Sequence, residues 1–403
     1  MPSTSAGLSD TRTLGRFILL STLAGAGVGV AKVSTSLYAL FLNASPLELG
    51  LIAGAQTGGL LLTSLLCGVL VERLGPLRLF CLGSASAAAL YVLVGQAHSC
   101  GLLMLITLLI GLCMPCRFVS LNTVFMQQLA SMAASRAGWF RGSQMAGVLL
   151  LGPALAAVLN QQLGPAGVWP VVALVFALPL LLAPWVLNIY PAQRQAAAKL
   201  SLSTVFGQLS LLRHDPILRR NSQLDFCVQA AAMYFAYFIV AITVQNYGWS
   251  PSQAAALLSA HGLAYIFALF FLGRHGERLS PRRLLGYALA CGSTLLVLGL
   301  AQGAWTLSLG AIGLGLSLGL LQIVTLFTYA QCGVRLGHGR VAGVAALVGP
   351  AGSLSGCLIG GLLGEVFALQ HLFMLFIPLF VLLALLPTVR NRWTLFLARR
   401  AVP

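Results

Sequence analysis

Lys32 and Arg117 each lie near the middle of a long apolar run, sixteenth of the 26 residues 17–42 and seventeenth of the 27 residues 101–127. A charge at the centre of a membrane-length helix costs at least ~2.5 kcal/mol on insertion scales, so a residue kept there points to binding or transport. No acid lies at mid-depth in the first six apolar runs, and two unneutralised cations attract a carboxylate or a phosphate. The alternatives are that Lys32 snorkels outward and that Arg117 satisfies backbone carbonyls at a kink beside Pro115. Asp225 is the one carboxylate placed in the first turns of a run where it could carry a proton or pair with a cation, although a helix N-terminus also favours it through the dipole. His261 titrates in the useful range; a hydrogen-bonded packing role is the competing reading. Cys113-x-x-Cys116 falls short of a four-ligand zinc site, having no second pair and no nearby His, so no metal is expected. With no phosphate-cradling G-x-x-x-x-G-K and no H-E-x-x-H, neither a nucleotide-driven pump, nor an enzyme, nor a bound cofactor is expected.

The elements that must position these groups follow from composition. Charged residues are 7% of 403, hydrophobic residues 59%, and glycines number 44. A soluble domain carries roughly 25% charge, so a soluble fold is excluded. The formal charge of +16 does not make a nucleic-acid surface, because the basic residues sit singly or in small groups between apolar runs. The nine cysteines lie mostly inside those runs and read as small buried apolar side chains. A bilayer core needs about 20 apolar residues of helix. Twelve runs qualify: 17–42, 47–71, 77–97, 101–127, 140–163, 167–189, 222–246, 252–273, 283–301, 304–331, 341–366 and 370–389. Of the 23 Lys and Arg, all but Lys32 and Arg117 then fall on one side, which places both termini in the cytoplasm. The longest polar interruption divides the chain into a six-helix half over 1–190, a cytoplasmic central loop over 191–221 and a second six-helix half over 222–403. Within the loop, Leu202, Val205, Phe206, Leu209 and Leu212 have the spacing of an amphipathic surface helix.

Gly68-Val69-Leu70-Val71-Glu72-Arg73-Leu74-Gly75-Pro76-Leu77-Arg78 follows the second run, and Gly273-Arg274-His275-Gly276-Glu277-Arg278-Leu279-Ser280-Pro281-Arg282-Arg283 follows the eighth. At an offset of 205 they agree at six of eleven positions. Duplication of a six-helix unit explains this, and parallel six-helix repeats around a central loop build a large class of secondary transporters. At these residues the chain resembles the major facilitator superfamily, whose signature after its second helix runs G-x-L-a-D-R-x-G-R-K. Glu72 stands for the usual Asp, Pro76 and Leu77 replace the basic pair, and Arg78 arrives one position late. A second stretch, Gly147-Val148-Leu149-Leu150-Leu151-Gly152-Pro153, resembles the glycine-rich stretch of the superfamily's antiporters and exporters, with Ala156 and Ala157 in place of its last two glycines.

The resemblance implies an all-α membrane protein of twelve transmembrane helices in two pseudo-symmetric halves, working by alternating access. It implies that helices one, four, seven and ten line a central cavity, which assigns Lys32, Arg117, Tyr237 and Gln322 to substrate. Gln322 matches Arg117 at the offset of 205. Asp225 and His261 become the proton-coupling candidates. Gly68, Glu72, Arg73, Arg78, Gly273, Glu277 and Arg278 become the gate, with Gly152 and Pro153 a bendable element. The expected activity is proton-coupled export of a small anionic metabolite, such as a siderophore-like carboxylate or an amphiphilic drug, by a monomer. The alternatives are an uptake symporter for an organic anion and a non-transporting assembly factor. Arginine outnumbers lysine 21 to 2, which suggests a bacterium with a GC-rich genome and hence the inner membrane.

Overall fold

The computed structural model describes residues 11–129, 142–188, 211–272, 281–336 and 338–385. Among the described residues, twelve helices account for the twelve apolar runs. The first half holds α1 (Thr11–Phe41), α2 (Pro46–Leu74), α3 (Pro76–Val94), α4 (Cys100–Leu129), α5 (Gly142–Gly167) and α6 (Trp169–Leu187). The second holds α7 (Pro216–Tyr247), α8 (Pro251–Phe271), α9 (Pro281–Leu300), α10 (Ala304–Leu336), α11 (His338–Gly364) and α12 (His371–Leu385). Ten of these are long and apolar enough to cross a membrane by length and composition. The 29 residues of α2 carry charge only near their two ends, at Glu48, Glu72 and Arg73, and α12 runs to the edge of the described residues. The central loop from 189 to 210, with most of the expected amphipathic surface helix, lies outside them.

The internal repeat is built into the helix starts. Ser45 caps α2 by accepting from Glu48 N while the Glu48 carboxylate accepts from Ser45 N, with Pro46 in the first turn. Ser250, Pro251 and Gln253 repeat the same capping box at α8, each 205 residues on. Asp215 caps α7 by accepting from Ile217 N and Leu218 N at 3.0 and 2.8 Å, and its other oxygen pairs with Arg335 near the end of α10. The α2–α3 turn bends at Gly75, whose φ of 83° favours glycine.

Packing repeats as well. In the first half α1 lies on α5 and α6, α2 on α4, and α3 on α4 and α6; in the second, α7 lies on α11 and α10, α8 on α10, and α9 on α10 and α12. The halves meet through α2 with α11, α5 with α8, and α1 with α7. Several crossings, within and between the halves, are made close by missing side chains. A Cβ on Gly152 would stand 2.5 Å from Gly29 Cα of α1, and one on Gly50 would stand 2.5 Å from Gly361 Cα of α11. Small residues let membrane helices approach until their backbones touch, which dispersion then rewards. Past Gly54 the α2–α11 contact loosens, and a Cβ on Gly58 would meet no described atom within 4 Å.

Just before Pro153 the backbone of α5 runs as a π-helical turn over Gly147–Leu151. Proline removes one hydrogen bond and crowds the preceding turn, and a widened turn relieves both. This π-helical turn, immediately before Gly152-Pro153, is seated against α1 at Gly25 and Gly29.

Candidate functional site

Where the halves meet at mid-span, the side chains turn polar. Lys32 reaches from α1 toward α7, its Nζ 3.7 Å from Met233 Sδ and 5.9 Å from the centre of the Tyr237 ring. The Tyr237 hydroxyl donates to Gln56 Oε1 of α2 at 2.6 Å, and Gln56 Nε2 donates to the Tyr91 hydroxyl of α3 at 3.4 Å. This line of donors runs from the second half into the first. Thioether sulfur is a weak acceptor and a ring face gives a desolvated cation roughly 2 kcal/mol. Removal from water costs an ion several kcal/mol. Lys32 is thus held in place without being neutralised, and a carboxylate is the group it lacks among its described neighbours.

Arg117 takes a different place. Its side chain is 2% exposed and lies among α3, α4 and α6, with Cζ 4.3 Å from the Phe176 ring centre and 5.8 Å from that of Phe80. Its three nitrogens have no hydrogen-bond acceptor among the described residues. Phe176 also packs 4.5 Å from Tyr91, so one aromatic ring separates Arg117 from the polar line that ends at Lys32. Gln322, at the repeat-equivalent position, is occupied within its own half: it accepts from Gln229 Nε2 at 3.2 Å and donates to Thr325 Oγ1 at 3.0 Å.

Asp225 is buried on α7, and the Tyr329 hydroxyl of α10 lies 3.3 Å from both its Oδ2 and Ser222 Oγ. His261 is buried on α8, its Nδ1 3.0 Å from the Ala311 carbonyl and its ring centre 4.2 Å from that of Phe235, so it joins α8 to α10 and α7 by packing. Among the residues expected to form a gate, Arg73 and Arg78 are exposed, and no described atom stands within 4 Å of a Cβ on Gly68. The Glu72 side chain and the residues Gly273, Glu277 and Arg278 lie outside the described residues. Cys116 faces Cys67 of α2, with their sulfurs 3.4 Å apart, and among the described residues no three metal-ligating side chains converge.

Three participants carry no mark in sequence-level reasoning about charge: Gln56, Met233 and Gln229. For the central pair a signal did exist. Tyr237 is Lys32 shifted by the repeat offset of 205, so the two are equivalent positions of the two halves.

The chain matches the family model described as Major Facilitator Superfamily over residues 17–244 and 224–393. No curated protein matches it. Among solved structures it is similar to the nucleoside transporter NupG, with a TM-score of 0.72 at 16% identity over 93% of this chain and 98% of that one. It is also similar to the human organic anion transporter MFSD10 (TETRAN), with a TM-score of 0.64 at 18% identity and the same coverage of 93% and 98%. Likeness at these identities is a likeness of fold.

Proposed function

The chain belongs to the Major Facilitator Superfamily, and from that footing we propose that it is a secondary transporter exporting a small organic anion from the bacterial cytoplasm by alternating access. The observation that carries this reading is Lys32. It is a mid-span cation at the meeting of the two halves, whose described partners are a sulfur and a ring face. A ligand carboxylate would replace both weak contacts with a charge-assisted hydrogen bond. Tyr237 and Gln56 offer a hydroxyl and an amide to the rest of the ligand, and Gln322 supplies polar surface from α10. A solved relative of the fold is named for organic anions, which agrees with this chemistry.

In this reading the halves, 1–190 and 222–403, rock about the glycine-lined crossings while the loop 191–221 tethers them, and one chain suffices. Both termini lie in the cytoplasm of an inner membrane. The tight α2–α11 contact at Gly50 and Gly361 is then the closed outer end, and the loosening past Gly54 faces inward. Glu72 and Glu277 would latch the inner ends. Export is supported by the Gly152-Pro153 distortion and by the membrane potential, which favours an anion leaving the cell by ~2.3 kcal/mol per charge per 100 mV. Asp225 is the proton-coupling carboxylate, with His261 serving packing.

The test is counterflow in proteoliposomes with a panel of mono- and dicarboxylates, neutral nucleosides and lipophilic cations. Wild-type protein should exchange a carboxylate, Lys32→Ala should abolish that exchange, and Arg213→Ala on the loop side of α7 should not. Selective movement of a neutral or cationic solute, undisturbed by Lys32→Ala, overturns the anion reading. Inward accumulation of the carboxylate against a gradient would make the protein an uptake symporter.

A further inference from the structure

The transport cycle proposed above makes no use of Arg117. A guanidinium stays ionised at every accessible pH and carries five donors and no acceptor. Here the ring centres of Phe176 and Phe80 lie 4.3 and 5.8 Å from its Cζ, and a ring face is at best a weak acceptor for N–H groups and carries no counter-charge. All three nitrogens are buried without an acceptor among the described residues. No counter-charge is available from the enclosing helices, because the sequence contains no Asp or Glu anywhere from Arg73 to His214, a stretch that includes all of α3, α4, α5 and α6. One further unpartnered polar atom lies on the same helix α3 that supplies Phe80 and Gly83. Ser84 is fully buried with no partner for its hydroxyl, one helical turn beyond Phe80 and adjacent to Gly83, where a Cβ would stand 3.4 Å from Arg117 Cγ.

We propose that Arg117 and Ser84 form a binding site for one small inorganic anion of chloride size, held inside the first half as a fixed counter-ion and not transported. At 2% exposure the guanidinium offers no open surface on which an organic acid could lie, so only a small ion is proposed. The position of Arg117, seventeenth in its apolar run, is too deep for a lipid phosphate. A water molecule would accept from the guanidinium but leave its charge uncompensated in a low-dielectric interior, whereas a halide does both. The Ser84 hydroxyl, unused by the protein, is free to donate to the same ion.

The test is the thermal unfolding of the purified full-length protein in detergent as sodium gluconate is replaced by sodium chloride or bromide at constant ionic strength. A saturable rise in Tm with halide is expected. It should vanish in Arg117→Gln, persist in Lys32→Gln, and require about tenfold more halide in Ser84→Ala, the size of one charge-assisted hydrogen bond. Should Arg117→Gln fail to fold, the Ser84→Ala shift and the position of anomalous bromide scattering in crystals of the wild type decide the matter. A flat response in wild type, a response that survives Arg117→Gln, a response lost in Lys32→Gln, a Ser84→Ala midpoint equal to wild type, or bromide located away from Arg117 overturns the proposal.

Discussion

Lys32 and Tyr237 hold equivalent positions in the two halves, 205 residues apart, and they face each other across the centre of the molecule with the ammonium 5.9 Å from the ring. A two-fold axis brings equivalent residues together only near itself, so this pair marks the pseudo-symmetry axis. In the rocking cycle proposed above, a point on this axis at mid-depth is also where side chains move least. A cation at that point can stay in contact with a ligand through the whole cycle while the surrounding contacts exchange.

The bond from Tyr237 to Gln56 joins different halves and must break when the α2–α7 contact opens. A neutral hydrogen bond is worth about 1 kcal/mol net, or roughly a fivefold change in an equilibrium constant. Tyr237→Phe and Gln56→Ala should each raise the population opened at the Phe41 end by about that factor. Distances between non-canonical spin labels at Phe41 and Val366 report it, since both residues are exposed and belong to different halves. Unchanged distributions in both variants would show that the bond does not bias the cycle.

The α1–α5 crossing should tolerate no added volume. A Cβ on Gly29 would lie 2.3 Å from the Val148 carbonyl oxygen, and one on Gly152 2.5 Å from Gly29 Cα, both backbone atoms that cannot turn aside. Gly29→Val and Gly152→Val should each cost about 1–3 kcal/mol and lower Tm. Gly58→Ala, with open space around it, should be neutral or slightly stabilising. Equal Tm for Gly152→Val and wild type would mean that the helices part freely at this crossing.

Much of this architecture was legible in the residues, because bilayer thickness and the positive-inside rule act on coarse composition. The twelve runs match the twelve helices among the described residues, and the stretch repeated at an offset of 205 pointed to two halves. What escaped was relational. Gln56 is one glutamine on an apolar helix until Tyr237 is placed opposite it, and Met233 has no polar signature. Lys32 and Arg117 look alike in sequence, each a lone cation at mid-run. Only the direction each side chain leaves its helix sends one to the meeting of the halves and the other among the aromatics of α3 and α6. The capping boxes at Ser45 and Ser250 were readable by the same offset that revealed the gate repeat.

Asp215 does two jobs that substitution can separate. It caps α7 through two backbone N–H groups and pairs with Arg335, whose side chain is 53% exposed. An ion pair with so wet a partner contributes little, whereas loss of a cap costs about 1 kcal/mol. Asp215→Asn, which keeps an accepting oxygen, should leave stability within ~0.5 kcal/mol of wild type, and Asp215→Ala should lose about 1 kcal/mol. Thermal unfolding checks both, and equal losses in the two variants would assign the stability to the charge instead.

In the transport cycle proposed above, proton coupling is assigned to Asp225. It is a buried carboxylate on α7, which meets α1 of the other half, and its described hydroxyl neighbour is Tyr329 on α10. A hydroxyl can donate to the ionised carboxylate or accept from the protonated one, so the pair tolerates both states without rearranging. That tolerance is what a carrier needs and a purely structural acid does not. Asp225→Asn fixes the neutral form with nearly the same shape, while Tyr329→Phe removes the neighbour and keeps the acid. In oriented vesicles under an imposed pH gradient, Asp225→Asn should lose pH-driven flux by at least an order of magnitude, as expected for removal of an obligatory proton site. It should retain passive exchange at the wild-type rate. Tyr329→Phe should keep coupled flux but shift its pH profile, because the remaining group still titrates. With the gradient replaced by a potential, flux in Asp225→Asn should change by the charge of the anion alone. Equal pH-driven flux in Asp225→Asn and wild type would remove Asp225 from the coupling and leave the membrane potential as the driving force.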